Sequence, residues 1–89
     1  MAKLFEDTNE NGSSEVLVWQ GGTGTFWTWG DFAGAMVSLE ASPDGENWFT
    51  VGTAACFGEK AVGGFAIGPC RLRATIVGAT EATRISAVV

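Results

Sequence analysis

An all-β fold, a small antiparallel β-sandwich or barrel of seven to eight short strands, is what this 89-residue sequence predicts. Three observations carry the expectation. The segment Met36-Val37-Ser38-Leu39-Glu40-Ala41 alternates in polarity, and Ser42-Pro43-Asp44-Gly45-Glu46-Asn47 after it carries Pro-Asp-Gly turn chemistry, so residues 36–51 read as a tight hairpin. Short runs rich in β-branched and aromatic residues recur along the chain between Gly, Pro and Asn punctuation. No window carries a helical apolar stripe.

The elements follow in order. Residues 1–14 form an N-terminal arm ending in Asn-Glu-Asn-Gly-Ser-Ser, which either docks through Leu4 and Phe5 or stays mobile. Residues 15–89 form one β-sandwich domain. Residues 15–20 and 23–29 are strand candidates about a Gly21-Gly22 turn, and 30–35 is a connector of small residues. The hairpin strands are 36–42 and 47–52. Residues 54–60 are a loop or short strand. Residues 61–67 are a strand in which Gly63-Gly64 predicts a bulge or bend. After Gly68-Pro69, residues 70–77 alternate cleanly, with Leu72, Ala74 and Ile76 facing a core and Arg71, Arg73 and Thr75 facing away. Residues 82–89 are the last strand.

Two early strands depart from that alternation. Val16 and Val18 oppose Leu17 and Trp19, while Trp27 and Trp29 oppose Phe26, so both strands are apolar on both faces. A domain this small has one internal core. The second face therefore meets a partner, or the arm or a loop folds over it.

Four Trp and six Phe are a heavy aromatic load for so short a chain. Net charge is −5, which disfavours direct nucleic-acid binding. The charge is uneven. Residues 1–59 hold nine acids against Lys3 alone, and residues 60–89 hold Lys60, Arg71, Arg73 and Arg84 against Glu81. Either these halves meet between subunits, or they are solvated strand faces. Cys56 and Cys70 leave two readings, a bridge or two small buried hydrophobes. No apolar run approaches membrane-spanning length and no signal peptide is read, so synthesis in the cytoplasm is expected.

The chain has no His and no Tyr. That removes the commonest general base and metal ligand, and with them the Ser-His and Cys-His nucleophile designs. Cys56 and Cys70 lack ligand spacing for zinc. Gly21-Gly22-Thr23-Gly24 lacks the Lys and helix of a phosphate loop. Asp44 belongs to its turn. No catalytic, metal or cofactor residues are assigned, and no enzyme activity is expected. Trp27 and Trp29 on one strand face also suit a sugar-stacking platform, and Asp44-Gly45-x-x-Trp48-x-x-Val51 resembles a strand motif of discoidin-like domains.

The order of several segments carries a broader resemblance from residue 15 onward. It runs from Gly22-Thr23-Gly24-Thr25-Phe26 to Val37 through Gly45, then Asn47 through Gly52, then Gly68-Pro69-x-Arg71-Leu72-Arg73-Ala74 and Val77-Gly78-Ala79-Thr80. In this order and length the chain resembles small β-sandwich virion structural proteins of tailed bacteriophages, of the capsid cement or decoration kind. The resemblance implies a non-enzymatic virion component, assembled in the bacterial host cytoplasm. It would bind the major capsid protein as a homo-oligomer, a trimer, and stabilise the shell between capsid subunits. Two alternatives stand beside it: a neck or tail structural protein, and a small carbohydrate-binding module. The contact residues expected are Leu4, Phe5, Trp19, Phe26, Trp27 and Trp29, with Arg71, Arg73 and Arg84 as charge partners for the acidic half of another subunit.

Overall fold

The computed structural model describes residues 2–51 and 56–89, Cys56 by its backbone alone. Its architecture starts from the turn after Ser42. The Asp44 carboxylate accepts the backbone N–H groups of Glu46 and Asn47 at 2.8 Å each and the Asn47 side-chain amide at 2.7 Å. The Ser42 hydroxyl accepts the Gly45 N–H at 2.7 Å, and Gly45 takes φ +82°, which its missing Cβ permits. These bonds hold the Asp44 carboxyl well below the usual carboxylate range, the two backbone bonds contributing most.

Ten strand segments are described: β1 (Lys3–Thr8), β2 (Gly12–Ser13), β3 (Leu17–Trp19), β4 (Gly22–Asp31), β5 (Met36–Ser42), β6 (Phe49–Thr50), β7 (Cys56–Phe57), β8 (Ala61–Ile67), β9 (Cys70–Val77) and β10 (Arg84–Val88). Pairing zips outward from the Asp44 turn. β6 and β7 run along β5, β8 along β4, β3 and β2 along β9, and β1 along β10, all antiparallel. Ala41 pairs with Phe49, Gly22 with Ile67, Leu17 with Leu72 and Lys3 with Val88. Each pair straddles the turn at near-equal distance along the chain. The chain is one long double-stranded ribbon with Asp44-Gly45 at its tip.

The ribbon then folds on itself. β10 pairs with β4, and β9 pairs with β5. Two sheets result, β1-β10-β4-β8 and a second built on the path β2-β9-β5-β6, with β3 beside β9 and β7 beside β5. With β2 and β3 as one interrupted edge, and β6 and β7 as the other, this is the eight-strand order of a jelly roll. The fold is thus the small all-β antiparallel sandwich that the sequence predicts.

The core lies between the sheets. Phe26, Ile85 and Ala87 from one face Val37, Leu39, Leu72, Ala74 and Ile76 from the other, and all are fully buried. Thr28 also points inward, its hydroxyl donating to the Ser86 carbonyl at 3.1 Å across β4 and β10. Glycines in β4 and β8 stand opposite phenylalanines: Phe26 pairs with Gly63 and Phe65 with Gly24. A Cβ on Gly24 would sit 2.6 Å from Phe65 and 2.7 Å from Trp19, so the glycine makes room for two rings.

Several expectations change. The N-terminal arm, read as docked or mobile, is docked over its described residues 2–14: β1 is an edge strand on β10, with Leu4 and Phe5 packed against the core, and β2 extends the other sheet. Gly63-Gly64 makes no bulge, because the β4–β8 register runs unbroken from Gly22–Ile67 to Thr28–Ala61. The connection between β5 and β6 is a six-residue loop, 43–48, longer than the four residues that the expected strand bounds leave. Of the strand expected at 47–52, Phe49–Thr50 is β6 and residue 52 lies outside the described residues. Residues 54 and 55 of the 54–60 segment also lie outside them.

Candidate functional site

Alternation along β4 divides its aromatics. Phe26 goes inward, and Trp27 and Trp29 go outward, 42% and 43% exposed. The antiparallel ladders set their neighbours. Trp27 lies between Val62 of β8 and Val88 of β10, and Trp29 lies beside Ser86. Val62 is also exposed. A shallow groove of about 340 Å³ runs between the two indoles and the start of β8, lined by Trp27, Thr28, Trp29, Lys60, Ala61 and Val62. On the far side of Trp29 a second cleft of about 190 Å³ is lined by Phe5, Glu6, Asp7 and Val88 among others. Trp29 is thus a ridge between two depressions.

Neither the N-terminal segment nor a described loop covers this face, because β1 is held at the edge beyond β10. Lys60 is the one ionisable residue lining the larger groove. The groove therefore offers apolar contact and π faces, with no acid–base pair to move a proton. Among the described residues, no three His, Cys, Asp or Glu side chains gather to hold a metal ion. Covering the exposed parts of Trp27, Trp29 and Val62, roughly 300 Å², would be worth about 8 kcal/mol before entropic costs.

The other contact residues expected from sequence scatter. Phe26 is fully buried and stacks on Phe57 at 6.1 Å, so it is a core residue and cannot meet a partner. Leu4 and Phe5 are half-buried against the core. Trp19 is half-buried against Phe65, ring centroids 5.2 Å apart, and its indole Nε1 is buried without a hydrogen-bond acceptor among the described residues.

Two of the three arginines bond within the chain. Arg73 Nε donates to Glu40 Oε1 at 2.8 Å, and its guanidinium lies 4.1 Å over the Trp48 ring. Arg84 Nη1 donates to the carbonyls of Glu81 and Thr83, and Arg84 stands opposite Asp31 across β10 and β4. Arg71 is exposed and its stem lies 3.5 Å from where a Gly45 Cβ would be. The ribbon supplies the reason. Folding the chain back on itself sets Arg73 of the basic half beside Glu40 of the acidic half, so that part of the charge asymmetry is met in cis. Cys70 is a free thiol whose pKa burial pushes up, and the Cys56 side chain lies outside the described residues.

Sequence reading missed Val62 and Lys60. They reach the tryptophans from β8 and the residue just before it, far along the chain, and for Val62 the strict alternation of Val62, Gly64 and Ala66 outward against Gly63, Phe65 and Ile67 was the available signal. The site and fold together define a jelly-roll domain with an exposed Trp27–Trp29–Val62 sheet face. No protein-family model matches the chain, and no curated protein matches it.

Proposed function

We propose that this protein is a non-enzymatic virion structural protein of the capsid cement kind, adhering to the major capsid protein through the Trp27–Trp29–Val62 face. The observation that supports the reading is that face: two tryptophans and a valine held outward on a rigid four-stranded sheet, with little charge among them. Contiguous exposed apolar surface of this kind marks a contact site. The jelly-roll order agrees, since that architecture serves in viral shells, though it also serves in lectins and so carries little alone.

The test is co-sedimentation with shells lacking this protein. Wild type should bind in a fixed ratio to the major capsid protein, and the double variant Trp27→Ser/Trp29→Ser should stay in the supernatant while keeping its fold. Failure of wild type to bind shells, together with a small fixed copy number in purified particles, would move the protein to a neck or tail position.

One observation favours a second reading. Neighbouring outward indoles beside a groove also form a stacking surface for sugar rings, which would make the domain a carbohydrate-binding module. Glycan-array binding by wild type, abolished by either Trp substitution, would select it.

A further inference from the structure

We infer that β8 is a docking edge for a second copy of this chain, two β8 strands pairing antiparallel about Gly64. This goes beyond shell binding and stands apart from it, since the pairing needs no shell, and it puts a dimer in place of the trimer that the resemblance implies.

The four sheet edges differ sharply. β1 carries Lys3, Glu6 and Asp7, has two register shifts against β10, and places Asp7 at φ +45°. The β2/β3 edge is broken at Ser14–Val16, where the Ser14 backbone and hydroxyl bond Ala74 instead of continuing a strand. The β6/β7 edge consists of two-residue pieces. Charge, bulges and brevity are the usual means by which proteins keep edges from pairing. β8 has none of them. It is seven residues long, Ala-Val-Gly-Gly-Phe-Ala-Ile, with no charge, no proline and no bulge. Among the described residues, its backbone forms no hydrogen bond beyond the ladder to β4.

The occupant follows from register. Net charge −5 opposes association of copies in general, and β8 adds no charged side chain to such a contact. A two-fold axis at Gly64 preserves the faces of the sheet. Val62 falls opposite Ala66 of the second copy on the outer face, and Gly63 opposite Phe65 on the inner face. That second pairing repeats the Phe–Gly arrangement that β8 already makes with β4. It also covers Phe65 and Ile67, which the edge leaves half-exposed. Lys60 falls outside the paired strands. The product is one eight-stranded sheet, with the Trp27–Trp29 patches of both copies on the same face, either side of the seam.

The experiment uses the full chain. Light scattering at micromolar concentration should give the mass of two chains. Ala66→Lys, at an exposed outward position, should give the mass of one chain with the strand circular dichroism unchanged. Gly64→Cys places its thiol on the two-fold axis. That site has no atom closer than 4.0 Å to a Cβ, so the variant folds, and mild oxidant should convert it to a covalent dimer. Thr23→Cys, on the same face but one strand inward, should cross-link at least tenfold more slowly. A wild-type mass of one or three chains, or equal cross-linking of the two cysteine variants, would overturn the inference.

Discussion

The outer faces of the two sheets are opposites. On the β9–β5 side, Glu40 accepts both Arg73 Nε at 2.8 Å and the Thr75 hydroxyl at 2.7 Å. Thr75 also bonds Ser13, and Arg73 lies over Trp48. Glu40, Arg73, Thr75 and Ser13 thus find partners in neighbouring strands and Trp48 covers the ion pair, while Arg71, Val18, Met36 and Val77 around them stay exposed. On the β4–β8 side, Trp27, Trp29 and Val62 stand in a row with no such network. The centre of the first face is tied within its own chain. The second is not, and the difference separates surface built for stability from surface available for contact.

Arg73→Ala should produce the largest effect on folding. Both members of its pair are mostly buried, the side chains 25% and 18% exposed, so the change leaves the Glu40 carboxylate without its cation. We expect a loss of about 2 kcal/mol, a drop in Tm of roughly 10 °C for a domain of this size. Thermal unfolding followed by circular dichroism measures it. A shift below 2 °C would mean that the polar face is no more integrated than its counterpart.

Acid should act on the same side of the molecule. Asp44 closes the turn at the end of β5, and its folded-state pKa lies below the ordinary value of 3.8. A carboxyl lowered by folding contributes stability that is fully present above 3.8 and is lost as pH falls through the folded value. Asp44→Ala should therefore lower Tm at pH 7 by less than Arg73→Ala does, and the gap from wild type should narrow below pH 3.

These two faces were unequally legible. Met36–Ser42, Ala61–Ile67 and Cys70–Val77 match their expected bounds, because turn residues flank each strand. The opposition of Phe26 to Trp27 and Trp29 follows from a period of two and needs nothing else. What escaped was everything set by the far end of the ribbon. Leu4 and Phe5 show no alternation of their own, and β10, at the other end of the chain, decides that they dock. Gly63 looks like a strand defect until Phe26 is seen opposite it. Arg73 looks free for a partner until β5 brings Glu40 beside it. The Asp44 turn is plain in the sequence, but that the whole chain pairs symmetrically about it depends on non-local ladders.

The smallest effect on folding should come from the face with the most exposed aromatic surface. Trp27→Thr/Trp29→Thr keeps β-branched side chains on β4, and it leaves the inward Phe26 and Thr28 untouched. Large exposed side chains contribute little to the stability of a free chain, so the double variant should unfold within about 0.5 kcal/mol of wild type. Its consequence should appear elsewhere, as a lower tendency to bind hydrophobic dye and to associate. If the double variant instead loses as much stability as Arg73→Ala, the indoles are bracing the sheet against β1 and β8 from outside. The Trp face would then be a second, minor core, and the contrast between the two faces would be one of chemistry alone.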